Sequence, residues 1–442
     1  MIETLEKRNM NTMFWDNESE TLARPLLERL QLGRLQETVR RVASRVPFYQ
    51  RAFAELGLKP DDIRSLADLR RLPLTTSDDL RAHYPAGFLA VPPDEPVRLH
   101  TSSGTTGKPK ALFFSRKDID NAAELMARSL VMTGVTHHDV FQNMMSYGLF
   151  TGGLMMHYGA EKVGCLVIPS GPGTSERQLM LMQDFRTTAT HILPSYALYF
   201  SGFLEQRGID PRRDLAWRKA FIGAEPYTEE TRDKIQQALG ILVFNSYGLT
   251  EMNGPGVAFE CSQQCGMHLW EDHFLLEIID PKTGEPLPEG QCGELVLTTL
   301  QREAMPILRY RTRDITRILP GPCPCGRTHR RVDRITGRSD DMLIVRGVNI
   351  FPQQIERVLM AHPQVGRNYV ILLEGLDDLT VQVELAAAGF DGDAEHLADL
   401  QHQLTEKLRA ELWIRPKVNL VPAGSMPVSE GKARRVIDKR SL

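Results

Sequence analysis

The sequence predicts an α/β protein with a large N-terminal domain and a small α+β C-terminal domain. Its 442 residues exceed what one compact core usually holds. From residue 97 onward, short apolar runs alternate with helical patterns, which is typical of a sheet with parallel pairing. The pattern resets around residues 337–341 and leaves about 100 residues, enough for a separate small domain. We therefore expect domains at 1–338 and 339–442.

The N-terminal domain is predicted to open with an amphipathic helix and to end in a β-rich part. Leu35, Val39, Val42 and Val46 recur at helical spacing before Pro47. The alternation that follows predicts a strand at 111–115, a helix at 118–132 and further short elements at 162–169, 190–194 and 220–222. Turn signals then separate strands predicted at 274–279, 293–299 and 315–319. A smaller β-rich subdomain is therefore expected at about 255–335.

The C-terminal domain is predicted to mix helices and strands. Its order is a hairpin at 343–350, a helix at 353–361, strands at 368–373 and 379–385, a long helix at 394–412 and a last strand at 418–421.

Composition is that of an ordinary soluble globular protein, with 42% hydrophobic and 25% charged residues. The net charge of −3 gives no global basic field that would attract nucleic acid or an anionic membrane, so neither is expected as a partner. No apolar run approaches the ~20 residues that span a bilayer, and residues 1–20 lack the apolar core of a signal peptide. We therefore expect a cytoplasmic protein, in which six cysteines indicate metal binding rather than disulfides.

The densest functional signal is the run TSSGTTGKPK at residues 101–110. Its glycines allow close approach of backbone N–H groups to an anion, and its hydroxyls and Lys108 can bond phosphate oxygens. The glycine spacing is too short for the GxxxxGK[ST] loop, and a strand is predicted to follow. A plain surface hairpin is the alternative. The candidate phosphate-binding residues are Ser102, Ser103, Gly104, Thr105, Thr106, Gly107 and Lys108.

This loop and five later segments resemble, in order, the motifs of the adenylate-forming superfamily (acyl-CoA synthetases, peptide-synthetase adenylation domains and luciferases). The segments are GAEP at 223–226, SYGLTE at 246–251, YRTRD at 310–314, GRSDD at 337–341 and VSEGK at 428–432. Within the superfamily the chain is most similar to phenylacetate–coenzyme A ligases. That likeness is carried by VPFY at 46–49, YGLFTGG at 147–153 and the block at 338–352.

The resemblance implies an ATP- and Mg²⁺-dependent acid–thiol ligase. Such an enzyme forms an acyl-adenylate from an aromatic carboxylic acid, such as phenylacetate, and passes the acyl group to coenzyme A, with release of AMP and pyrophosphate. An enzyme that loads the acyl group onto a carrier-protein thiol would share every motif and remains an alternative. A third hypothesis is a protein that is stabilised by zinc and senses a nucleotide by binding it, without catalysing a reaction. The intact Glu251 and Lys432 argue against it.

The resemblance also implies the nucleotide contacts. Ala224, Glu225 and Pro226 would lie on the adenine side, and Ser246, Tyr247 and Gly248 would lie along the nucleotide, with the Tyr247 ring stacked on adenine. Thr250 would bond the α-phosphate, and Glu251 would hold Mg²⁺, because a hard cation prefers carboxylate oxygens.

Two further polar residues are assigned to the ribose region. Asp314 can accept hydrogen bonds from both ribose hydroxyls, and Arg338 would bond the ribose or phosphate edge. The alternatives are an Asp314 paired with a neighbouring arginine and an Arg338 that forms an ion pair at the hinge.

Lys432 is implied as the catalytic lysine, a compact ammonium that bridges the attacking carboxylate and the α-phosphate. Without the resemblance, a surface lysine of a basic tail would be favoured. The thiol must later reach the acyl carbon, so the small domain is expected to swing about a hinge. Asp340 is the candidate pivot, and Gly347 is the candidate contact for coenzyme A. A homodimer is common among similar ligases and remains open.

The acyl pocket is predicted in the apolar, aromatic segment at 144–158. Tyr147, Phe150 and Gly152 lie in the part that resembles the acid pocket of phenylacetate ligases, and aromatic faces suit a flat arene. Tyr196 and Tyr199 could add to the pocket. An ordinary buried element is the alternative.

A zinc site is predicted from Cys261-x3-Cys265-x2-His268 and Cys323-x-Cys325, which form two knuckles of thiolate and imidazole ligands. There are five candidates for four places. Resemblance to some relatives in this ligase branch favours Cys261, His268, Cys323 and Cys325, with Cys265 as the alternate. A redox or packing role for the cysteines is the other reading.

Overall fold

The computed structural model describes residues 13–101, 109–346, 348–374, 378–386, 394–426 and 435–440. The α-helices of the described residues are α1 (Asn17–Glu20), α2 (Arg24–Arg45), α3 (Pro47–Glu55), α4 (Ser77–Ala82), α5 (Arg116–Val131), α6 (Thr151–Val163), α7 (Ser175–Asp184), α8 (Pro194–Gln206), α9 (Pro211–Asp214), α10 (Glu229–Leu239), α11 (Pro352–Met360) and α12 (Ala394–Leu412). Short 3₁₀ turns lie at Pro60–Asp62, Leu66–Arg71 and Thr250–Met252.

The strands of the first half of the chain are β1 (Arg98–Thr101), β2 (Ala111–Phe114), β3 (Val140–Asn143), β4 (Leu166–Ile168), β5 (Ala189–Ile192), β6 (Lys219–Gly223), β7 (Leu242–Leu249), β8 (Gly254–Glu260), β9 (Met267–Leu269), β10 (Phe274–Ile279) and β11 (Gly293–Thr299). Those that follow are β12 (Tyr310–Thr316), β13 (Ile318–Leu319), β14 (Arg331–Val332), β15 (Gly337–Arg338), β16 (Leu343–Val345), β17 (Val348–Ile350), β18 (Val365–Glu374), β19 (Asp378–Leu385), β20 (Lys417–Val421) and β21 (Val436–Asp438).

The chain divides into two compact units. The first comprises Met1–Gly171, Thr187–His191 and Phe244–Arg334, and the second comprises Pro172–Arg186, Ile192–Val243 and Ile335–Leu442. The domain boundary expected between residues 338 and 339 stays a prediction. Among the described helices, none combines the length and the apolar character that crossing a bilayer requires.

The first unit mixes parallel and antiparallel pairing. Strand β3 pairs in parallel with β4 and with β5, which confirms the predicted parallel pairing. Strands β7, β8, β9, β14 and β13 form a run of antiparallel neighbours, and β10, β11 and β12 form an antiparallel set. The core of this unit includes the fully buried Trp270 and Phe259. The mixed α/β fold class is confirmed.

Local sequence explains where the main helix of this unit begins. Ser115 caps α5, because its hydroxyl accepts from the Asp118 backbone N–H while the Asp118 carboxylate accepts from the Ser115 N–H. The apolar face of α5 packs on α6 and β8. The element predicted at 162–169 is only partly correct. Residues 162–163 still belong to α6, Gly164 ends that helix at φ +97°, and β4 follows.

In the second unit, the C-terminal residues form a four-stranded sheet with the order β20–β19–β18–β21. Strands β18 and β19 are antiparallel, and β20 and β21 add in parallel at the two edges. Helix α12 contributes Leu400, Leu404, Leu408 and Leu412 at four-residue spacing to the core below the sheet. The predicted order is confirmed, and β21 is an additional strand that the sequence did not indicate.

Candidate active site

The centre of the candidate site is Glu251, in the 3₁₀ turn that follows β7. Its carboxylate is buried and accepts hydrogen bonds from the Lys110 ammonium and, at 2.8 Å, from the Tyr310 hydroxyl. Burial alone would raise the pKa of this carboxyl, but the Lys110 charge and the hydrogen bonds from Lys110 and Tyr310 hold the pKa below its usual value. Glu251 is therefore an anionic oxygen ligand inside the protein.

Arg302 fixes the turn that carries Glu251. One guanidinium nitrogen donates to the Glu251 carbonyl oxygen, and another donates to the Phe113 carbonyl at 3.3 Å, on the strand that follows the predicted phosphate loop. Burial lowers the pKa of Arg302 to about 10, so it remains a cation at neutral pH. The Thr250 hydroxyl, beside Glu251, lies 3.4 Å from the Thr151 hydroxyl at the start of α6.

Sequence reasoning did not assign roles to Lys110, Tyr310 or Arg302. Lys110 and Tyr310 could have been predicted from the sequence, because Lys110 ends the TSSGTTGKPK run and Tyr310 begins the YRTRD segment. Arg302 lies alone in a connecting segment, and no local pattern distinguishes it from a surface arginine.

Tyr247 and Asp314, which are predicted for the adenine and the ribose, are in contact. The Tyr247 hydroxyl donates to the Asp314 carboxylate at 2.6 Å. The neighbouring arginines contact other carboxylates: Arg309 pairs with Glu277, and Arg311 pairs with Glu294.

The segment at 246–248 is shaped by close backbone approach. A Cβ on Gly248 would lie 1.9 Å from the Gly254 carbonyl oxygen on the neighbouring strand, so only glycine fits there. The buried Ser246 hydroxyl has no hydrogen-bond partner among the described residues. A buried polar atom in this state suits a bound polar ligand.

The predicted adenine-side residues and Arg338 belong to the second unit. Ala224 follows β6 at φ +64°, and the Glu225 carboxylate accepts from the Ser195 hydroxyl at 3.0 Å and from the Ser195 backbone N–H at 3.2 Å. Pro226 completes this turn and lines a cavity of 530 Å³ together with Glu225.

Arg338 pairs with Asp340 through two hydrogen bonds of 2.8 and 2.9 Å. This is the ion pair that the sequence left open as an alternative to a nucleotide contact. The phosphate-loop residues 102–108, the coenzyme A candidate Gly347 and the catalytic candidate Lys432 lie outside the described residues.

The segment predicted to form the acyl pocket contains a chain of polar contacts in addition to its apolar side chains. The Tyr147 hydroxyl lies 3.1 Å from His157 Nδ1, and His157 Nε2 lies 2.9 Å from the Glu161 carboxylate. Burial raises the pKa of Tyr147 to about 12, so its hydroxyl stays protonated. Tyr196 and Tyr199 stack at 6.0 Å in the second unit.

Gly152 is packed against the ring of Phe150, the residue before α6. A Cβ on Gly152 would lie 2.5 Å from a ring carbon of Phe150, which is closer than such atoms approach. The Phe150 ring therefore keeps its position because residue 152 has no side chain.

The four favoured zinc ligands are buried and converge. One ligand atom from each of Cys261, His268, Cys323 and Cys325 lies within 4.8 Å of all the others. Cys261 and Cys323 sulfurs are 3.7 Å apart, close to the edge of about 3.8 Å expected for a tetrahedron with Zn–S bonds of about 2.3 Å. His268 Nε2 lies 3.2 Å from the Cys325 sulfur, and its Nδ1 lies 3.1 Å from the His329 carbonyl. That contact fixes the tautomer that leaves Nε2 free to bind metal. The donor set fits zinc.

Comparison with known proteins places the chain among enzymes that bind AMP. A family model described as AMP-binding enzyme matches residues 24–301, and one described as AMP-binding enzyme C-terminal domain matches residues 347–440. A phenylacetate–coenzyme A ligase of Thermus thermophilus is 46% identical over 97% of this chain and 100% of its own length. One from Escherichia coli is 44% identical over 96% of this chain and 97% of its own length.

Solved structures agree with this placement. The structure of 2-hydroxyisobutyryl-CoA ligase in the postadenylation state, in complex with 2-HIB-AMP, has a TM-score of 0.91 and 30% identity, covering 97% of this chain and 92% of that chain. The same ligase in the thioesterification state, with 2-HIB-AMP and CoA, has a TM-score of 0.71, covering 96% and 92%. The chain belongs to the AMP-binding, adenylate-forming enzymes and, within them, to the phenylacetate–coenzyme A ligase family. The predicted family is confirmed.

Proposed function

We propose that this chain is an ATP-dependent ligase that converts an aromatic carboxylic acid, phenylacetate or a similar aryl acid, into its coenzyme A thioester. The acid would first attack the α-phosphate of ATP to give an acyl-adenylate and pyrophosphate, and the thiol would then displace AMP. The observation that carries this proposal is full-length similarity at 44–46% identity to phenylacetate–coenzyme A ligases. The cluster around Glu251 supplies the matching chemistry.

Glu251 is the proposed holder of Mg²⁺. Its buried, ionised carboxylate provides the oxygen that a hard cation prefers, and the Lys110 ammonium already makes a cationic contact at that oxygen. Bound Mg²⁺ would neutralise phosphate charge. Lys110 would then be available to the phosphates, and Thr250 to the α-phosphate. We propose the residues at 102–108 as the loop that surrounds the phosphates.

Asp314 is proposed to accept hydrogen bonds from the ribose, with Tyr247 as its orienting partner. The 2.6 Å hydrogen bond between them supports a fixed carboxylate. The Ser246 hydroxyl is proposed as a further nucleotide contact because it is buried without a partner among the described side chains and backbone. Glu225 and its neighbours are proposed for the adenine side, and Arg338 for the ribose or phosphate edge once it leaves Asp340.

The acyl group is proposed to lie against Tyr147 and Phe150. The flat ring faces suit an arene, and Gly152 keeps the Phe150 ring in place. Asp340 is proposed as the pivot of a C-terminal domain at 339–442, and Gly347 as a contact for the thiol substrate. The oligomeric state stays open.

Zinc is proposed as a structural metal, held by Cys261, His268, Cys323 and Cys325. Cys261 lies between β8 and β9, His268 lies in β9, and Cys323 and Cys325 lie between β13 and β14, so a metal there would join two loops and a strand of one antiparallel run. All four positions are protein ligands, which is the arrangement of a structural rather than a catalytic zinc.

The test of the proposed reaction is a panel of carboxylic acids assayed for pyrophosphate release with and without coenzyme A. Phenylacetate, ring-substituted arylacetates and benzoate would be compared with aliphatic acids of similar size. We expect release that depends on the acid, is largest with an aryl acid and becomes multiple-turnover with coenzyme A, with the thioester identified by mass. Release without acid, or transfer only to a holo carrier protein, would contradict the proposal.

Lys432→Ala tests the catalytic lysine. We expect pyrophosphate release to fall by roughly a thousandfold, because the variant loses a charge that acts on the transferred group. Thioester formation from supplied acyl-adenylate and coenzyme A should remain within a few fold of wild type. Equal loss of both half-reactions would contradict the role given to Lys432. Lys439→Ala, which removes an exposed lysine paired with Glu374, is the matched control.

A further inference from the structure

Beside the proposed zinc ligands lies a fourth sulfur donor, Cys265. Cys265 is part-exposed, whereas Cys261, Cys323, Cys325 and His268 are buried. The convergent set of four excludes Cys265, yet its sulfur lies 3.5 Å from the Cys323 sulfur. This thiol therefore contacts a metal ligand from the solvent side without being one of the four.

Arg331 holds Cys265 in that position. One guanidinium nitrogen donates to the Cys265 sulfur at 3.0 Å and to the Cys265 carbonyl at 2.6 Å. Another donates to the Gly321 carbonyl at 3.2 Å, in the loop that leads to Cys323. Strand pairing sets Arg331 opposite His268, so the guanidinium is anchored to the same framework as the ligands. A cysteine that is accessible and lies beside an arginine is in the environment in which thiols react.

We propose that Cys265 is an oxidation site, at which hydrogen peroxide forms a disulfide between Cys265 and Cys323 and thereby removes a ligand from the zinc site. The proposal rests on the zinc assignment made above. In the first step the Cys265 sulfur attacks the peroxide, the O–O bond breaks, and Cys265 becomes a sulfenic acid with release of water. The Cys323 sulfur then attacks the Cys265 sulfur, the S–O bond breaks and a second water leaves. Two sulfurs lose two electrons in total, and one peroxide is reduced to two waters.

The Cys265 sulfur interacts with the Cys261 sulfur as well as with the Cys323 sulfur, and Cys323 is the proposed partner because it is the less buried of the two. The Cys265 and Cys323 sulfurs are already in contact, so a bond needs a movement of about 1.5 Å to reach an S–S length of about 2.05 Å. Cys261 is a similar distance from Cys323 but is fully buried, so a peroxide reaches Cys265 first. With only two of its three thiolates left, the site would hold zinc weakly, and the metal would be released.

The experiment uses the full-length, zinc-loaded protein, treated with hydrogen peroxide. Released zinc is followed with a chromogenic chelator, and disulfides are located by differential alkylation and peptide mass mapping. We expect wild type to release zinc with formation of the Cys265–Cys323 disulfide, and Cys265→Ser to release it at least tenfold more slowly. Cys292→Ser is the matched control, because Cys292 is an exposed cysteine outside the cluster, and it should behave as wild type.

Each outcome decides the proposal. Equal release from wild type and Cys265→Ser would overturn it, as would a disulfide between Cys323 and Cys325. If untreated Cys265→Ser holds less zinc than wild type, then Cys265 is a ligand and the proposal is wrong. If the protein binds no zinc at all, the metal assignment fails separately. Disulfide mapping of the metal-free protein still tests the oxidation site, because the Cys265–Cys323 bond is expected there and its absence would overturn the proposal.

Discussion

The carboxylate of Glu251 is buried and is nevertheless held in its ionised form, the form that binds cations. The Lys110 ammonium and the Tyr310 hydroxyl both contact it, so the negative charge is stabilised although the group is buried. An isolated buried carboxylate would instead be driven towards its neutral form. Lys110 therefore both protects the charge of Glu251 and sits at the end of the loop proposed to bind phosphate.

Lys110→Met should lower acid-dependent pyrophosphate release by roughly a hundredfold, because it removes a charge from the phosphate region. It should also move the acidic limb of the pH–rate profile to higher pH. Without Lys110, burial prevails and the pKa of Glu251 rises, so the active carboxylate is lost at a higher pH as the solution is acidified. The measurement is pyrophosphate release as a function of pH.

The control for this variant is Lys117→Met, which removes an exposed lysine paired with Glu303 and should leave the profile unchanged. An unaltered acidic limb in Lys110→Met would show that Lys110 does not set the charge state of Glu251.

Gly152→Ala should raise the KM for the aryl acid by about tenfold while the KM for ATP stays the same. The added methyl group would displace the Phe150 ring, and one misplaced wall of a pocket commonly costs about 1–3 kcal/mol of binding. Steady-state kinetics with each substrate varied in turn measures this. Gly33→Ala, in α2, is the control, because nothing lies within 4 Å of its added Cβ. Equal effects on both KM values would argue against a specific role in the acid pocket.

The site residues that could be predicted from the sequence lie in local motifs, whereas those that could not be predicted make contacts between distant segments. Glu251, Tyr247 and Asp314 belong to compact motifs, and the structure brings Tyr247 and Asp314 into contact. Arg302 acts through carbonyl oxygens of two distant segments, and backbone contacts of that kind leave no sequence pattern. The zinc candidates were predictable as a set because their spacing is local, whereas the role of Arg331 beside Cys265 depends on strand register.

Among the elements, the predicted zinc ligands belong to segments that flank or form the short strand β9. Cys261 follows β8, His268 lies in β9, and Cys323 and Cys325 lie in the loop that precedes β14. Because β9 pairs with both β8 and β14, these segments belong to one antiparallel run, and a metal would link them further.

Cys325→Ser should abolish stoichiometric zinc binding and lower the free energy of unfolding by roughly 3 kcal/mol, in the range seen for loss of a structural metal. Metal content by mass spectrometry and thermal unfolding together measure this. Cys165→Ser, at a buried cysteine whose sulfur contacts the Thr136 carbonyl, controls for the loss of a thiol as such. Retention of one zinc per chain in Cys325→Ser would remove this residue from the ligand set.

The long helix α12 and the short strand β21 show why some elements are easier to predict. Helix α12 was predicted with its observed bounds, because four core leucines repeat at a constant spacing within its nineteen residues. Strand β21 has three residues and lies in a basic segment, so neither length nor alternation marks it. It forms because β18 offers an open edge with which it pairs in parallel.

For the whole molecule, the proposed reaction requires two arrangements of the C-terminal domain. The structurally similar 2-hydroxyisobutyryl-CoA ligase has been solved in the postadenylation state and in the thioesterification state. The TM-score of this chain is 0.91 to the first and 0.71 to the second. In this chain the proposed pivot Asp340 is held by Arg338, so leaving the present backbone conformation would break a bidentate ion pair.

Asp340→Pro should reduce thioester formation from supplied acyl-adenylate by at least tenfold and leave pyrophosphate release within about threefold, because proline fixes φ at the pivot. Asp340→Ala removes the same ion pair but keeps the backbone free, and should preserve both half-reactions. Measuring the half-reactions separately distinguishes the two effects. Unchanged thioester formation in Asp340→Pro would place the pivot elsewhere.

One buried contact bears on how this protein can be shortened. Glu20 and Arg327 are both fully buried and pair at 2.7 Å, two residues beyond Cys325. The match to the AMP-binding enzyme family model begins at residue 24, so a fragment cut at that limit would lose Glu20 and leave the Arg327 guanidinium without its ion-pair partner. An orphaned charge of this kind is destabilising by roughly 3–5 kcal/mol. The residues that precede α2 are thus part of the folded core of this unit. Their removal would destabilise the segment that carries Cys323 and Cys325, although that segment lies about 300 residues later in the sequence.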